Sequence, residues 1–180
     1  SKARHKIPYT RMLCGPMDYT PGAFDLDGTE ESPKYVQTTR AQQMAMYVVY
    51  FSPLQMLVDY PAAYEGSPEQ FEFLKQVPVT WDDTKFIKGE PGQFVAVARK
   101  KGHDWYIGIM NNDHAGREVS IQYDFLEKEK NYKAHIYKDA DDAGRNPEHV
   151  SVEEDMVNIS DSQSFKLASG GGTAIWLEAQ

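Results

Sequence analysis

The chain has 180 residues, of which 41% are hydrophobic and 12% aromatic, so it can form a packed core in one ordinary domain or two small ones. Its formal net charge of −8 argues against a nucleic-acid partner, because neutralising phosphates needs clustered Lys and Arg. The single cysteine excludes a disulfide within the chain, and no apolar run approaches the roughly 20 residues of a membrane-spanning helix.

A short apolar run near the start of the chain meets a polar loop. The run Met12-Leu13-Cys14 stops at Gly15-Pro16, and Asp18 and Tyr19 follow. Barrel enzymes place substrate groups where a strand ends in a polar loop ahead of a helix. We therefore predict a strand at the run, with Cys14 a small buried hydrophobe rather than a nucleophile. Asp18 and Tyr19 are candidate substrate-binding residues, although a loop Asp that bonds its own backbone is the alternative for Asp18.

Helical periodicity marks the next segment. Apolar residues recur one turn apart from Ala41 to Val49, and Met46 and Tyr47 make the other face apolar too. This pattern predicts a helix over residues 41–51 that has neighbours on most sides. The residues before it, 25–37, carry no clear element and are predicted to be a loop.

Two Ser-Pro pairs carry the signals of a helix start. Ser52-Pro53 is followed by Gln55, which can complete a capping box, and Ser67-Pro68 precedes a short apolar pattern that ends near Leu74. Each pair therefore predicts a short helix.

The second half of the chain changes to the period of two that is typical of strands. Turn residues separate its short apolar runs, at 94–98, 105–110, 119–125, 132–136, 150–152, 156–159, 165–167 and 174–177. About eight short strands of this kind predict an antiparallel β-sandwich. We place the boundary between the two parts near residues 80–90.

Several segments resemble glycoside hydrolase family 97. They are residues 11–24, Ser-Pro-Leu-Gln-Met-Leu-Val-Asp-Tyr-Pro at 52–61, Val-Pro-Val-Thr-Trp-Asp-Asp-Thr at 77–84, and the segment 97–108. Together they cover most of residues 7–142 in family order. The resemblance implies a catalytic (β/α)8 barrel followed by a C-terminal all-β domain, exo-acting hydrolysis of α-linked glucose or galactose, and calcium in the active site.

The resemblance also implies what this chain lacks. The family's calcium-binding and acid–base glutamates, and the aspartate nucleophile of its retaining members, precede the Pro8-Tyr9-Thr10-Arg11 segment, and no position here matches them. We therefore expect an α+β chain in which residues 1–82 are the terminal strand and helices of the barrel and residues 83–180 are a β-sandwich. No catalytic or metal-binding residues are expected in it. The parent enzyme would hold calcium, act on an oligosaccharide, and be periplasmic or secreted.

Two further patterns each have a functional and a structural interpretation. Trp81 is a candidate aromatic platform for a sugar, but we favour a Trp packed at the seam between barrel and sandwich. Asp139, Asp141 and Asp142 have part of the spacing of a calcium loop. However, Ala143 stands where such a loop needs an oxygen ligand, so a solvated turn is expected there.

The sequence leaves three hypotheses for function. The first is an inactive C-terminal fragment of the enzyme, whose exposed barrel edges favour self-association. The second is a non-catalytic carbohydrate-binding module, which is disfavoured because Trp105 and Trp176 lie in alternating runs and are expected to face the core. The third, a complete enzyme using glutamates such as Glu69 and Glu72, is disfavoured because those residues suit a solvated helix face.

Overall fold

Three α-helices precede eight strands in a computed structural model that describes residues 6–27, 36–112 and 114–180. Two short 3-10 helices, Ile7–Tyr9 and Arg11–Cys14, come first. The α-helices are α1 (Arg40–Val49), α2 (Pro61–Glu65) and α3 (Pro68–Gln76). The strands are β1 (Asp83–Glu90), β2 (Phe94–Lys101), β3 (Asp104–Asn111), β4 (Arg117–Gln122), β5 (Tyr132–Asp139), β6 (Val150–Val157), β7 (Ser162–Leu167) and β8 (Gly172–Ala179).

The strands form two antiparallel sheets. Six of them are ordered β1-β2-β3-β8-β5-β6, and β4 pairs with β7 in a second, two-stranded sheet. The predicted antiparallel arrangement is therefore confirmed, with two differences. The run 150–152 and the first two residues of the run 156–159 belong to one strand, β6, and no predicted apolar run corresponds to β1. Both are edge strands, whose exposed polar residues interrupt or hide the alternation.

One core fills the space between the two sheets. Ile107 and Ile175 of the larger sheet pack with Val119, Ile121 and Phe165 of the smaller one, and all five are at most 3% exposed. Alternation along β4, with every second residue buried, places its apolar side chains on this side.

A second core lies on the other face of the six-stranded sheet, where α1 packs against β3 and β8. The Thr39 hydroxyl caps α1 by accepting the Gln42 backbone N–H at 3.1 Å. Every residue from Ala41 to Val49 is buried, which confirms the predicted helix and its many neighbours. Gly108 of β3 lets the helix approach the sheet closely, since its Cα faces the Ala45 carbonyl.

Replacing Gly108 with Ala is expected to lower the free energy of unfolding by about 1–3 kcal/mol. A Cβ there would lie 2.7 Å from the Ala45 carbonyl oxygen and 2.8 Å from Val49 Cγ2, so α1 would have to move off the sheet. Urea denaturation measures the effect. Gly144→Ala is the matched control, because a Cβ at Gly144 meets nothing within 4 Å. Equal stability of the two variants would contradict this packing.

Three local predictions are wrong. Arg11–Cys14 is a 3-10 helix rather than a strand. Leu13 is 79% exposed, and Cys14 is exposed rather than buried. No helix begins at Ser52-Pro53, because the Ser52 hydroxyl donates to the Leu54 carbonyl at 2.7 Å and closes a turn instead. The next helix, α2, begins at Pro61.

The other helix and the loop agree better with expectation. A helix does begin at Pro68, but the Ser67 hydroxyl accepts from Arg40 instead of capping it. Residues 25–27 and 36–37 of the predicted loop have no helix or strand, and 28–35 lie outside the described residues. None of the described helices has the length and hydropathy needed to cross a membrane.

The segments that precede and follow α1 in sequence pair with each other in parallel. Tyr19 forms a parallel bridge with Gln55, and the Met17 N–H donates to the Phe51 carbonyl at 3.1 Å. Parallel segments joined through a helix have the connectivity of a β-α-β unit. Only this single bridge forms within the described residues, and a barrel strand is not seen there.

Candidate substrate-binding site

A buried loop follows the two candidate residues Asp18 and Tyr19. Residues 21–26 have no regular structure, yet all of them except the half-buried Asp25 are buried. Buried backbone without helix or sheet must find its hydrogen-bond partners elsewhere.

Five consecutive N–H groups of this loop find acceptors on only three side chains. The pairs are Gly22 and Ala23 with Gln43 Oε1 (3.2 and 3.3 Å), Phe24 and Asp25 with Asp59 Oδ2 (2.6 and 2.9 Å), and Leu26 with Glu148 Oε1 (2.7 Å). The loop is thus shaped by side chains from three separate parts of the sequence.

Hydroxyl and guanidinium groups satisfy the loop's carbonyls in the same way. The Tyr47 hydroxyl donates to the Pro21 carbonyl at 3.0 Å, and the Tyr64 hydroxyl donates to the Gly22 carbonyl at 2.9 Å. Burial raises the pKa of Tyr47, so this hydroxyl stays protonated and remains a donor. Gly22 has a φ of +91°, and a Cβ on it would collide with the Tyr47 hydroxyl, so the turn requires glycine.

Arg40 is the charged centre beside the loop. Its guanidinium donates to the Phe24 carbonyl at 2.9 Å through Nε and pairs with Glu148 Oε2 at 2.8 Å. Burial lowers the pKa of Arg40, and the nearby carboxylates of Glu148, Asp25 and Asp59 oppose that effect. The cation is therefore enclosed by acceptors and held in one position.

Tyr19 is fixed, whereas Asp18 is exposed. The Tyr19 ring packs edge-on against Tyr50 with centroids 4.8 Å apart, and its hydroxyl lies 3.3 Å from the Met46 sulfur. Asp18, the residue before it, projects to the surface. A carboxylate on a firmly held neighbour is suited to accept hydrogen bonds from a polar ligand, and the substrate-binding role of both residues stays a prediction.

Trp81 lies at the start of the sheet. It is half-buried, its ring is 5.5 Å from that of Tyr106, and the Arg99 guanidinium lies 6.0 Å from it. Trp81 and Tyr19 both border the core between α1 and the six-stranded sheet. A sugar-binding role for Trp81 stays a prediction.

The two tryptophans of the binding-module hypothesis differ in burial. Trp105 is 3% exposed and packs in the core between the sheets, as expected. Trp176 is only half-buried: it stacks on His135 at 4.6 Å and donates its indole N–H to Asp104 at 3.1 Å. Its ring and its polar edge are therefore both engaged within the chain.

Asp139 is buried, which corrects the expectation of a fully solvated acidic turn; Asp141 and Asp142 are exposed as expected. Its Oδ2 accepts the backbone N–H groups of Ala168 (2.8 Å) and Gly172 (3.0 Å). Its Oδ1 is buried with no hydrogen-bond partner in the part of the chain that is described. Burial raises the pKa of Asp139 to about 6, against these hydrogen bonds and one from Thr39.

The calcium that the resemblance implies is not accommodated by the residues seen here. Across residues 6–27, 36–112 and 114–180, no three His, Cys, Asp or Glu side chains come together as a metal site.

Comparison with known proteins decides the family. Residues 80–178, more than half of the chain, match the family described as "Glycosyl-hydrolase 97 C-terminal, oligomerisation". The chain belongs to glycoside hydrolase family 97. The β-rich part of the structure, from β1 to β8, coincides with the matched C-terminal domain of family 97.

Relatives extend the similarity to nearly the whole chain. A retaining α-galactosidase of Bacteroides thetaiotaomicron is 35% identical over 174 residues, which are 94% of this chain and 26% of that protein. The structure of a family 97 enzyme of Pseudoalteromonas sp. strain K8 in complex with panose superposes with a TM-score of 0.93 at 40% identity. It covers 99% of this chain, which corresponds to 28% of that enzyme. The chain thus spans about a quarter of the family 97 proteins it matches.

A more distant structure shares the fold alone. A β-arabinopyranosidase superposes with a TM-score of 0.81 at 22% identity over 97% of this chain. The arrangement of α1 on the six-stranded sheet is therefore retained at low sequence similarity.

The sequence analysis missed the residues that hold the loop. Gln43 and Arg40 are two of the three polar residues of a mostly apolar helix, which is a signal that could have identified them. Asp59 lies within one of the segments that resemble the family. Glu148 sits in a polar turn 122 residues after its partner Leu26, and no local pattern marks it.

Proposed function

We propose that this chain is the C-terminal portion of an exo-acting α-glycosidase, which as a whole hydrolyses α-galactosidic or α-glucosidic bonds. The observation that carries the proposal is the 174-residue alignment with a retaining α-galactosidase, because it extends through the helices and the loop at 21–26 as well as the β-domain. A family 97 enzyme bound to panose, at 40% identity, supports the α-glucosidic alternative.

The chain's own part in that reaction would be structural. Glycoside hydrolysis needs two carboxyl groups across the scissile bond, about 5–9.5 Å apart, and in this proposal they and the calcium ligands come from the rest of the enzyme. Asp18 and Tyr19 would line one wall of the pocket. The parallel segments at Tyr19 and Gln55 would complete the barrel, and the enzyme would be periplasmic or secreted.

Self-association belongs to the same proposal. The family description includes oligomerisation, and the 54–60 segment exposes several large apolar side chains. Leu54, Met56, Val58 and Tyr60 are each at least 50% exposed. Exposed apolar side chains of this kind favour contact with other protein surface, either the remaining barrel or another copy.

A chimera tests the proposed function. In it, this chain replaces the matching 174 residues of the Bacteroides thetaiotaomicron α-galactosidase. We expect the purified chimera to hydrolyse 4-nitrophenyl α-galactoside or α-glucoside, because the remaining part of the α-galactosidase supplies the catalytic residues. Activity is measured by nitrophenol release.

The control for that experiment separates folding from function. The same α-galactosidase truncated before the replaced segment should be inactive. A chimera that is folded by circular dichroism and inactive on both substrates would contradict the proposal.

A further inference from the structure

The 21–26 loop is supported from two parts of the molecule. Gln43, Tyr47 and Arg40 come from α1, and Asp59 and Tyr64 come from the segment that follows it. Glu148 comes from the connection between β5 and β6, within the β-domain that matches the family's C-terminal domain. Among the described hydrogen bonds to this loop, the bond to Glu148 is the one that the β-domain provides.

Glu148 uses both of its carboxylate oxygens in this contact. Oε1 accepts the Leu26 N–H at 2.7 Å, and Oε2 pairs with Arg40 at 2.8 Å. Arg40 in turn donates to the Phe24 carbonyl and to the Ser67 hydroxyl at the start of α3. One carboxylate therefore links the loop, α1 and the β-domain, and the two side chains of the pair are only 12% and 33% exposed.

The shape of the 21–26 loop depends on this link. The loop has no ladder of backbone hydrogen bonds, so its shape depends on individual side-chain acceptors. A buried N–H that loses a charged acceptor lets the segment open locally while the sheets stay folded. Asp18 and Tyr19 lie just before the loop, and although Tyr50 and Met46 hold the Tyr19 ring, opening of the loop would release the backbone that follows both residues.

We propose that Glu148 is a positioning residue, through which the β-domain holds the 21–26 loop, and with it Asp18 and Tyr19, in the shape that accepts the terminal hexose of an α-glycoside. The substrate half of this inference, that the loop shapes the hexose site, rests on the proposed function. The structural half, that Glu148 holds the loop, depends only on the two contacts of Glu148. A binding loop held by a rigid scaffold is the arrangement that gives a precise site.

Amide hydrogen exchange on this chain, followed by NMR, tests the structural half. Glu148→Ala should speed exchange at residues 22–26 by about tenfold or more, a change that corresponds to about 1.4 kcal/mol. The amides of Ile107 and Ile175 in the sheets should not change. Glu148→Gln keeps an acceptor for Leu26, so it should restore most of the protection.

Glu153→Ala is the matched control, since Glu153 is an exposed carboxylate on β6 that pairs with Lys138 and does not touch the loop. It should leave exchange at 22–26 unchanged. Unchanged exchange in Glu148→Ala, with the sheets equally stable, would overturn the inference.

Kinetics in the chimera test the substrate half. Glu148→Ala should raise KM by about tenfold with a much smaller change in kcat. Glu148→Gln should recover part of the lost affinity for substrate. Glu153→Ala should have the same KM and kcat as the parent chimera. Equal KM values for Glu148→Ala and the parent would overturn the positioning role. If the parent chimera is itself inactive, the proposed function fails and the substrate half fails with it, whereas the exchange experiment still decides whether Glu148 holds the loop.

Discussion

Replacing Arg99 with Met is expected to lower the free energy of unfolding by about 2–4 kcal/mol. Arg99 of β2 reaches the end of α1, where its Nε donates to the Val48 carbonyl at 2.6 Å and a second nitrogen to the Val49 carbonyl at 3.3 Å. A third bond goes to Thr84 at 2.8 Å. The last carbonyls of a helix have no partner within it, so Met would leave two of them buried and unpaired.

Burial lowers the pKa of Arg99 to about 10, which shows that the site opposes the charge. Replacement by Met removes this cost of burying the charge, so the expected loss of about 2–4 kcal/mol is the net loss that remains. The stability of Arg99→Lys should fall between those of the natural chain and Arg99→Met, because one ammonium group cannot reach all three acceptors.

Urea denaturation near pH 7 measures these variants. Lys85→Met is the control, since Lys85 forms an ion pair with Asp83 in which both side chains are about half exposed, and such pairs contribute at most about 1 kcal/mol. If Arg99→Met were as stable as Lys85→Met, the capping of α1 by Arg99 would not be significant for stability.

Asp139 is expected to make the chain less stable as the pH rises from about 4 to 7. Its pKa in the folded protein is raised from an ordinary 3.8 to about 6, chiefly because burial disfavours the carboxylate. A raised acid pKa contributes stability that is fully present below the unfolded value and is lost as the pH passes the folded value. At about 1.4 kcal/mol per pKa unit, the loss is about 3 kcal/mol.

Asp139→Asn isolates this contribution, because the amide cannot ionise but keeps an oxygen for the Ala168 and Gly172 N–H groups. Its stability relative to the natural chain should improve by about 2–3 kcal/mol between pH 4 and pH 7, as measured by urea denaturation at each pH. Asp141→Asn, at an exposed acidic residue of the neighbouring turn, is the matched control. A pH-independent difference for Asp139→Asn would refute the assignment.

Those parts of the fold that depend on local pattern could be predicted from the sequence. α1 follows from the helical spacing of its apolar residues. β3 and β8 follow from short apolar runs bounded by turn residues, because central strands are buried on both faces. β1 could not be predicted, since its sequence Asp-Thr-Lys-Phe-Ile-Lys-Gly-Glu is polar and exposed at the edge of the sheet.

The apolar run at Met12 illustrates the opposite error. Its residues have the composition of a strand, but no neighbouring strand pairs with them in the described part of the chain, and local 3-10 hydrogen bonds form instead. Hydrophobic composition predicts burial only when a partner surface is present.

The sequence singles out only the first residues of the candidate site, and their substrate-binding role stays a prediction. Asp18 and Tyr19 follow from their place between an apolar run and a turn. Glu148 and Asp59 do not, because each acts through a contact with backbone 122 and 35 residues away in sequence. A hydrogen bond from a side chain to distant backbone leaves no periodic trace in the sequence, in contrast to a helix face or a strand.

The burial of α1 has a consequence for how such enzymes can be recombined. The helix covers one face of the six-stranded sheet while its polar side chains shape the 21–26 loop, so the two halves of the chain share it. A graft cut at the first strand would bare that face of the sheet to water. Functional recombinants, in evolution or in the laboratory, should therefore be joined upstream of Thr39, so that α1 and the sheet are transferred together.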